Sequence, residues 1–499
     1  MNNSLGRYQK IDRSVPLPIL SLVFFLLASL PLAFLLVSGS YAVDSQVHIL
    51  ITVYALTIIV LGAIIASTLQ TTRRVALLLF VAGQIFWFAM PALRSVTGSE
   101  WFGERANFYI PDEALVLTCA YLSGFTVISL IAYWFFSLRF KSFFPETPSH
   151  GAVLSGLNDK DMLKFVIVLV IFGLLPFIVY GGDLNAIVSG ILGSRSGNKA
   201  WGHSSFRASN PLYVIGRAAF VTAGQLALVY AARARGLKNR LPWAFIFLLA
   251  FVITYFDSGT RSWTLLIVGP PAIMFLRHIL ANRTFKRWVV IAPLALVSLL
   301  WLAELQRHSR KVGFSAETVT SATSVDVSDN NFFTETAIAV TLVPERMDYL
   351  KESTLILYLT NPIPRGIWAG KPYPRVIQMY SIGRSGRDEY VESGISRLPS
   401  MVGQHYMSWG LLGIFEVAIF YGLAFAWCDF LLRRKALSTL THLMAATTSV
   451  WLFVSCRGLF PGFHYPILIL GIFVLYEKYR IRQRSATTFA PISVRAQAT

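Results

Sequence analysis

The chain is predicted to be an all-α polytopic membrane protein of about twelve transmembrane helices, with one large extracytoplasmic loop that contains short helices. Three observations predict this. Of 499 residues, 55% are hydrophobic and only 14% charged, with a mean hydropathy of +0.57, which excludes an ordinary soluble domain. Apolar runs long enough to span a bilayer recur along the chain. Lysine and arginine cluster in alternate connections between those runs, the pattern of cytoplasmic loops.

The runs fall at 17–37, 47–68, 75–93, 114–137, 162–180, 212–232, 242–256, 262–278, 288–303, 409–430, 440–456 and 463–477. The basic N-terminus leads into an apolar stretch from Leu17 to Val37, too long for a signal-peptide core, so it reads as a first anchor. The seventh and eighth runs nearly abut at Asp257-Ser258-Gly259-Thr260-Arg261. Residues 1–303 thus carry nine helices with an outward loop at 181–211. Residues 304–408 form the extracytoplasmic loop, 409–484 the last three helices, and 485–499 a disordered cytoplasmic tail.

The formal net charge of +19 is distributed topologically. Clusters at Arg7/Lys10/Arg13, Arg73/Arg74, Arg139/Lys141/Lys160, Arg233/Arg235/Lys238/Arg240, Arg277/Arg283/Lys286/Arg287, Arg433/Arg434/Lys435 and Lys478/Arg480/Arg482/Arg484 occupy every second connection. Both termini are then cytoplasmic, and no nucleic-acid partner is implied. No glycine-rich phosphate loop occurs, which argues against an ATP-driven machine. Cys119, Cys428 and Cys456 lie in or at the ends of spans and offer neither a disulfide framework nor metal spacing.

The long loop has parts. Residues 306–331 are rich in Ser, Thr and Asp. Phe332–Val343 is apolar but too short to span, so it lies in the interface or packs under the loop. Arg346–Leu359 reads as a helix delivering Asn361–Arg375, where four prolines fix φ and hold the chain extended. On that frame sit Arg365, Lys371 and Arg375 with Trp368 between them. Rigid cations beside an aromatic plane suit a ligand of phosphate and sugar. The 181–211 loop adds Arg195, His203 and Arg207.

Outward arginines need a reason other than topology. Arg307, Arg310, Arg346 and Arg384 read as ordinary solvated residues of a long loop. Arg261 and Arg457 sit in very short turns against helix ends, where an ionisable group at membrane level is a functional candidate. Arg217 opens the sixth run and reads as snorkelling. Glu416 lies two turns into the tenth run, so it should face the bundle interior and find a partner or stay protonated; a salt bridge to an outer arginine is the structural option and catalysis the functional one. Asp429 reads as structural. His405, before Tyr406-Met407-Ser408-Trp409-Gly410, is placed to take a proton from a sugar hydroxyl or to bind it.

Two elements carry a family resemblance. Pro364-Arg365-Gly366-Ile367-Trp368-Ala369-Gly370-Lys371-Pro372 fits P-R-x-x-W-x-x-K-P. The stretch Gly403-Gln404-His405-Tyr406-Met407-Ser408-Trp409-Gly410-Leu411-Leu412-Gly413 fits G-x-x-Y-x-x-x-G-x-x-G. With the many helices, the large loop before the last three and the Gly259-Thr260-Arg261 turn, the chain resembles bacterial Wzy-type O-antigen and exopolysaccharide repeat-unit polymerases. Position 404, often acidic in that pattern, is Gln here.

The resemblance implies a metal-independent inverting glycosyltransferase of the bacterial inner membrane, with no cofactor. Donor and acceptor would both be glycans on undecaprenyl pyrophosphate, and a chain-length regulator would be a partner. The acceptor hydroxyl attacks the anomeric carbon as the pyrophosphate departs, so fixed cations stabilise the transition state. Arg261, Arg365, Lys371, Arg375 and Arg457 are the candidates for that clamp. Trp368, Tyr373 and Tyr406, with Arg195, His203 and Arg207, are candidates for binding glycan. His405, Arg261 and Arg365 are the candidate catalytic residues. The alternatives are an O-antigen-ligase-like transfer to another lipid, and a transporter or flippase for lipid-linked glycan.

Overall fold

A computed structural model describes residues 43–97, 108–143, 159–181, 211–258, 261–281, 331–360, 363, 367–371, 375–386, 398–434, 437–459 and 462–488. All their regular structure is helical. In chain order these are α1 (Val43–Thr72), α2 (Val75–Gln84), a π-helical turn (Ile85–Ala89), α3 (Met90–Thr97), α4 (Asp112–Phe143), α5 (Asp159–Gly181), α6 (Pro211–Arg233), α7 (Leu237–Ser258) and α8 (Arg261–Ala281). Then follow α9 (Phe332–Leu342), α10 (Thr354–Thr360), α11 (Arg375–Ser385), α12 (Met401–Trp409), α13 (Leu411–Arg433), α14 (Thr439–Ser455) and α15 (Tyr465–Thr488).

Among the described residues, six segments are long and apolar enough to cross a membrane: Gln46–Thr68, Val75–Val96, Asp112–Phe143, Val214–Arg233, Leu237–Tyr255 and Leu411–Arg433. The predicted runs at 162–180, 262–278, 440–456 and 463–477 form helices α5, α8, α14 and α15, outside that set. The runs at 17–37 and 288–303 lie outside the described residues. Helix α15 continues to Thr488, past the predicted boundary at 484.

The bundle centre is α4 lying along α13; α2 packs on α13 and meets α4 through the Phe80–Phe125 ring contact and the bond from Thr126 to Gln84. Asp429 of α13 fixes this junction. Its carboxylate accepts the amides of Ala76 (2.9 Å) and Leu77 (3.1 Å), which begin α2 and have no partner within their own helix, and the hydroxyl of Tyr133 in α4 (2.8 Å). One buried acid therefore caps one helix and ties three. Above it Phe80, Phe125, Tyr421 and Phe425 interlock, with ring centroids 5.4–6.4 Å apart.

Basic clusters gather at this end of the bundle. Arg74 lies 5.9 Å over Tyr133, Arg233 bonds Thr439, and Arg480 pairs with Asp161 at 2.9 Å. These contacts join segments far apart in sequence.

The predicted loop differs most from expectation. Helix α9 does not lie on a surface: Phe333, Ala337, Ile338, Ala339 and Leu342 are wholly buried against α4, α12 and the π turn. Asn331 caps it, its side chain accepting the amide of Thr334 at 3.1 Å. The helix expected over Arg346–Leu359 is confined to Thr354–Thr360. Before it, the backbone runs beside α12, with Leu350 N donating to Met407 O (3.0 Å) and Lys351 N to Ser408 O (2.9 Å). That pairing diverts the backbone from helical bonds, and Ser353 Oγ then accepts the amide of Ile356 at 3.3 Å to start α10.

The tenth run, predicted over 409–430, is one helix, α13, and a separate short helix precedes it. Gly410 adopts φ +60° and ψ −135°, a conformation open essentially only to glycine, and separates α12 from α13. Ser400 caps α12, accepting the amide of Gly403 at 3.0 Å.

Candidate functional site

The glycines of the Gly403–Gly413 element have distinct physical duties. After the break at Gly410, α13 folds back so closely that a Cβ at position 413 would stand 2.0 Å from the carbonyl oxygen of His405. A Cβ at position 403 would press on Ala339 of α9 at 3.2 Å. Tyr406 completes the unit: its hydroxyl donates to Val343 O (3.2 Å), and its ring lies 5.1 Å from that of Tyr121 in α4. Burial pushes its phenol up from the ordinary value, so it acts as a neutral donor.

This helix–break–helix sets His405 against Glu416. The imidazole is wholly buried, with Nδ1 3.3 Å from Glu416 Oε2. The other carboxylate oxygen accepts the hydroxyl of Ser353 at 2.5 Å. With an ionised carboxylate as acceptor, Nδ1 carries the hydrogen. Nε2 has no hydrogen-bond partner among the described residues. Glu416 therefore does not point wholly inward, and among the described residues its side-chain partners are His405 and Ser353 rather than an outer arginine. Its side chain keeps 31% exposure at the margin of the outward face of α13. Thr354 Oγ1 and Ser408 Oγ, 2.7 Å apart, hold the start of α10 to α12 beside this group.

Gln404 faces the other way. Its Oε1 accepts the amide of Leu459 (2.8 Å) and its Nε2 donates to the carbonyl of the same residue (3.3 Å). That two-point clasp, with Met401 N donating to Cys456 O at 3.1 Å, locks the turn after α14 to α12. A carboxylate could make only the first of these bonds, which gives Gln at 404 a structural reason.

The same turn carries Arg457. Its Nη1 donates to Ser262 Oγ at 3.1 Å, and its guanidinium carbon lies 5.5 Å from the ring of Phe332 and 5.9 Å from that of Trp87. Ser262 belongs to the first turn of α8, directly after Arg261. Arg217 of α6 reaches the next residue, its guanidinium carbon 5.6 Å over the ring of Trp263. Three arginine positions separated by up to 240 residues in sequence thus converge on one helix start. The side chain of Arg261 lies outside the described ones. Close by, His464 packs 4.5 Å from Tyr358 and 4.7 Å from Tyr465, its ring nitrogens buried.

The remaining predicted residues stand apart. Lys371 is buried, and its Nζ donates to Ile363 O at 3.0 Å, closing the turn that displays the exposed Trp368. Arg375 is exposed beside Glu352 at 3.7 Å. Of the arginines read as solvated, Arg346 is exposed and lies 4.6 Å over Phe108. Arg384 is not solvated: its side chain is buried and pairs with Glu335 at 3.3 Å, where Tyr380 also donates. Arg195, His203, Arg207, Arg307, Arg310, Arg365 and Tyr373 lie outside the described residues.

Sequence reasoning missed Ser353, Ser262 and Trp87, which lie in apolar or polar stretches without a motif. Gly410 and Gly413 are the one signal that could have exposed the His405–Glu416 contact, since a break between them folds the two residues together.

Residues 325–437 match a family described as "Domain of unknown function (DUF8712)". The matched stretch runs from α9 through α13 and contains the His405–Glu416–Ser353 group. No curated protein and no solved structure matches the chain.

Proposed function

We propose that this chain polymerises undecaprenyl-pyrophosphate-linked oligosaccharide repeat units by metal-independent inverting glycosyl transfer at the outer face of a bacterial cytoplasmic membrane. The observation that carries the reading is Arg457 held on Ser262 at 3.1 Å, in the first turn of a helix that Arg261 begins. Guanidinium groups at a helix N-terminus meet a pyrophosphate with fixed charge and unpaired backbone amides. Trp87, Phe332 and Trp263 surround this point and lower the local dielectric, which strengthens each charge interaction.

In this mechanism the acceptor hydroxyl attacks the anomeric carbon, its proton passes to the His405–Glu416 pair, and the pyrophosphate leaves with the bonding electrons. Charge builds on the leaving group, so the arginines bind the transition state more tightly than the substrate. The clasp between Gln404 and Leu459 links the two halves, because it fixes the His405 helix to the turn that carries Arg457. The alternation of basic clusters supports cytoplasmic termini and an outward 304–408 segment.

The test is the purified chain in nanodiscs supplied with an undecaprenyl-pyrophosphate-linked oligosaccharide. A ladder of lengthened glycan is expected, and Arg457→Ala should weaken it over a hundredfold, about 3 kcal/mol of transition-state stabilisation. Transfer of glycan only to a second lipid would replace the reading by a ligase. Translocation without a new glycosidic bond would replace it by a transporter.

A further inference from the structure

The accessible member of the His405–Glu416–Ser353 group is the carboxylate. His405 is 0% exposed and its Nδ1 is engaged, whereas Glu416 is 31% exposed. Around Glu416 the surface is apolar: Leu412, Phe415 and Ile419 of α13 are exposed on the turns above and below it, and Ile356 of α10 is exposed three residues after Ser353. Leu411–Arg433 is one of the segments long and apolar enough to cross a membrane, so this outward face is the one lipid would cover. A carboxylate left at the edge of such a face is costly unless it is used. Here it is oriented from both sides, by Ser353 on Oε1 and by the imidazole on Oε2.

Resting on the polymerase reading, we propose that Glu416, rather than His405, takes the proton of the acceptor hydroxyl, and that the lipid-borne acceptor reaches it from the bilayer side of α13 between α10 and α13. The hydroxyl proton moves to the carboxylate as the oxygen forms its bond to the anomeric carbon. The bond from that carbon to the pyrophosphate oxygen breaks, and the pyrophosphate keeps the electron pair. Loss of the proton from Glu416 to water resets the group. His405 and Ser353 are positioning residues: they hold the carboxylate ionised and aimed, and neither touches the sugar.

Two measurements test this. The first is labelling of the wild-type chain in nanodiscs with dicyclohexylcarbodiimide, an apolar carboxyl reagent, against a water-soluble carbodiimide, followed by peptide mapping. An adduct on Glu416 from the apolar reagent is expected. Modification by the water-soluble reagent alone, or by neither, overturns approach from the lipid side. The second is kinetics with lipid-linked oligosaccharide. Glu416→Gln should lower kcat by about a hundredfold or more with KM within about threefold, as removal of a proton acceptor does. Glu416→Asp should recover part of the loss. His405→Gln and Ser353→Thr, which keep a hydrogen bond to the carboxylate, should stay within about tenfold of wild type, while Ser353→Ala should reduce kcat rather than raise KM. A folded Glu416→Gln chain with wild-type kcat overturns the role, as does an inactive His405→Gln beside an active Glu416→Gln. Labelling needs no turnover, so it decides access to Glu416 even if no donor is polymerised and the polymerase reading falls.

Discussion

Gly413 lies directly against the main chain of His405, close enough that an added methyl would stand 2.0 Å from its carbonyl oxygen. This contact lets α13 turn back beside α12 and sets Glu416 against the imidazole. The site is therefore built by backbone proximity before any side chain is chosen.

Gly413→Ala is expected to force the two helices apart and destabilise the chain by about 1–3 kcal/mol, the usual consequence of overpacking. Gly410→Ala should cost a similar amount, about 1–3 kcal/mol, because its backbone conformation admits little but glycine. Thermal unfolding in detergent, followed by tryptophan fluorescence, measures both. A Gly413→Ala chain as stable as wild type would contradict the close approach.

Gln404→Glu tests the clasp on Leu459. The carboxylate keeps one acceptor for the Leu459 amide but opposes the carbonyl that the amide group now satisfies. A loss of about 1–3 kcal/mol is expected, with the larger loss at neutral pH, where the buried carboxylate is ionised. Protection of the 456–459 turn in hydrogen exchange should fall with it.

Asp429→Ala removes the acceptor for two buried amides and a phenol at once. A destabilisation of at least about 3 kcal/mol is expected, since each stranded donor costs about 1–3 kcal/mol. Asp429→Asn retains one acceptor oxygen and should lose less. Equal stability of the alanine variant and wild type, read by chemical denaturation, would show that the three-helix junction is held by packing alone.

Membrane orientation is tested with Ile367→Cys and Arg235→Cys in a background lacking Cys119, Cys428 and Cys456. Both positions are exposed. A membrane-impermeant maleimide added to intact cells should modify position 367 and leave position 235 unmodified. The opposite pattern would reverse the side on which the arginines face and remove the basis for the polymerase reading.

Helices with a continuous apolar run were legible because hydropathy is a local property. The runs at 47–68, 75–93, 114–137, 212–232, 242–256 and 409–430 each fall on a segment long enough to span. The 304–408 stretch was legible only as something other than a span. Its short helices are set by contacts distant in sequence: α9 buries itself against α4, and residues 350–351 leave the helical path to pair with α12.

By itself the sequence determined that the chain is helical, apolar and basic in alternate connections, since composition and spacing act over a few residues. It also singled out Arg261, Arg457 and His405 as candidates for binding or chemistry. Only the tertiary structure decided which of these act together. Arg457 reaches Ser262, Arg217 reaches Trp263, and His405 meets Glu416 across a glycine break, although no two partners share a local motif. Side-chain convergence depends on how helices pack in three dimensions, and hydropathy carries no information about which helix faces which.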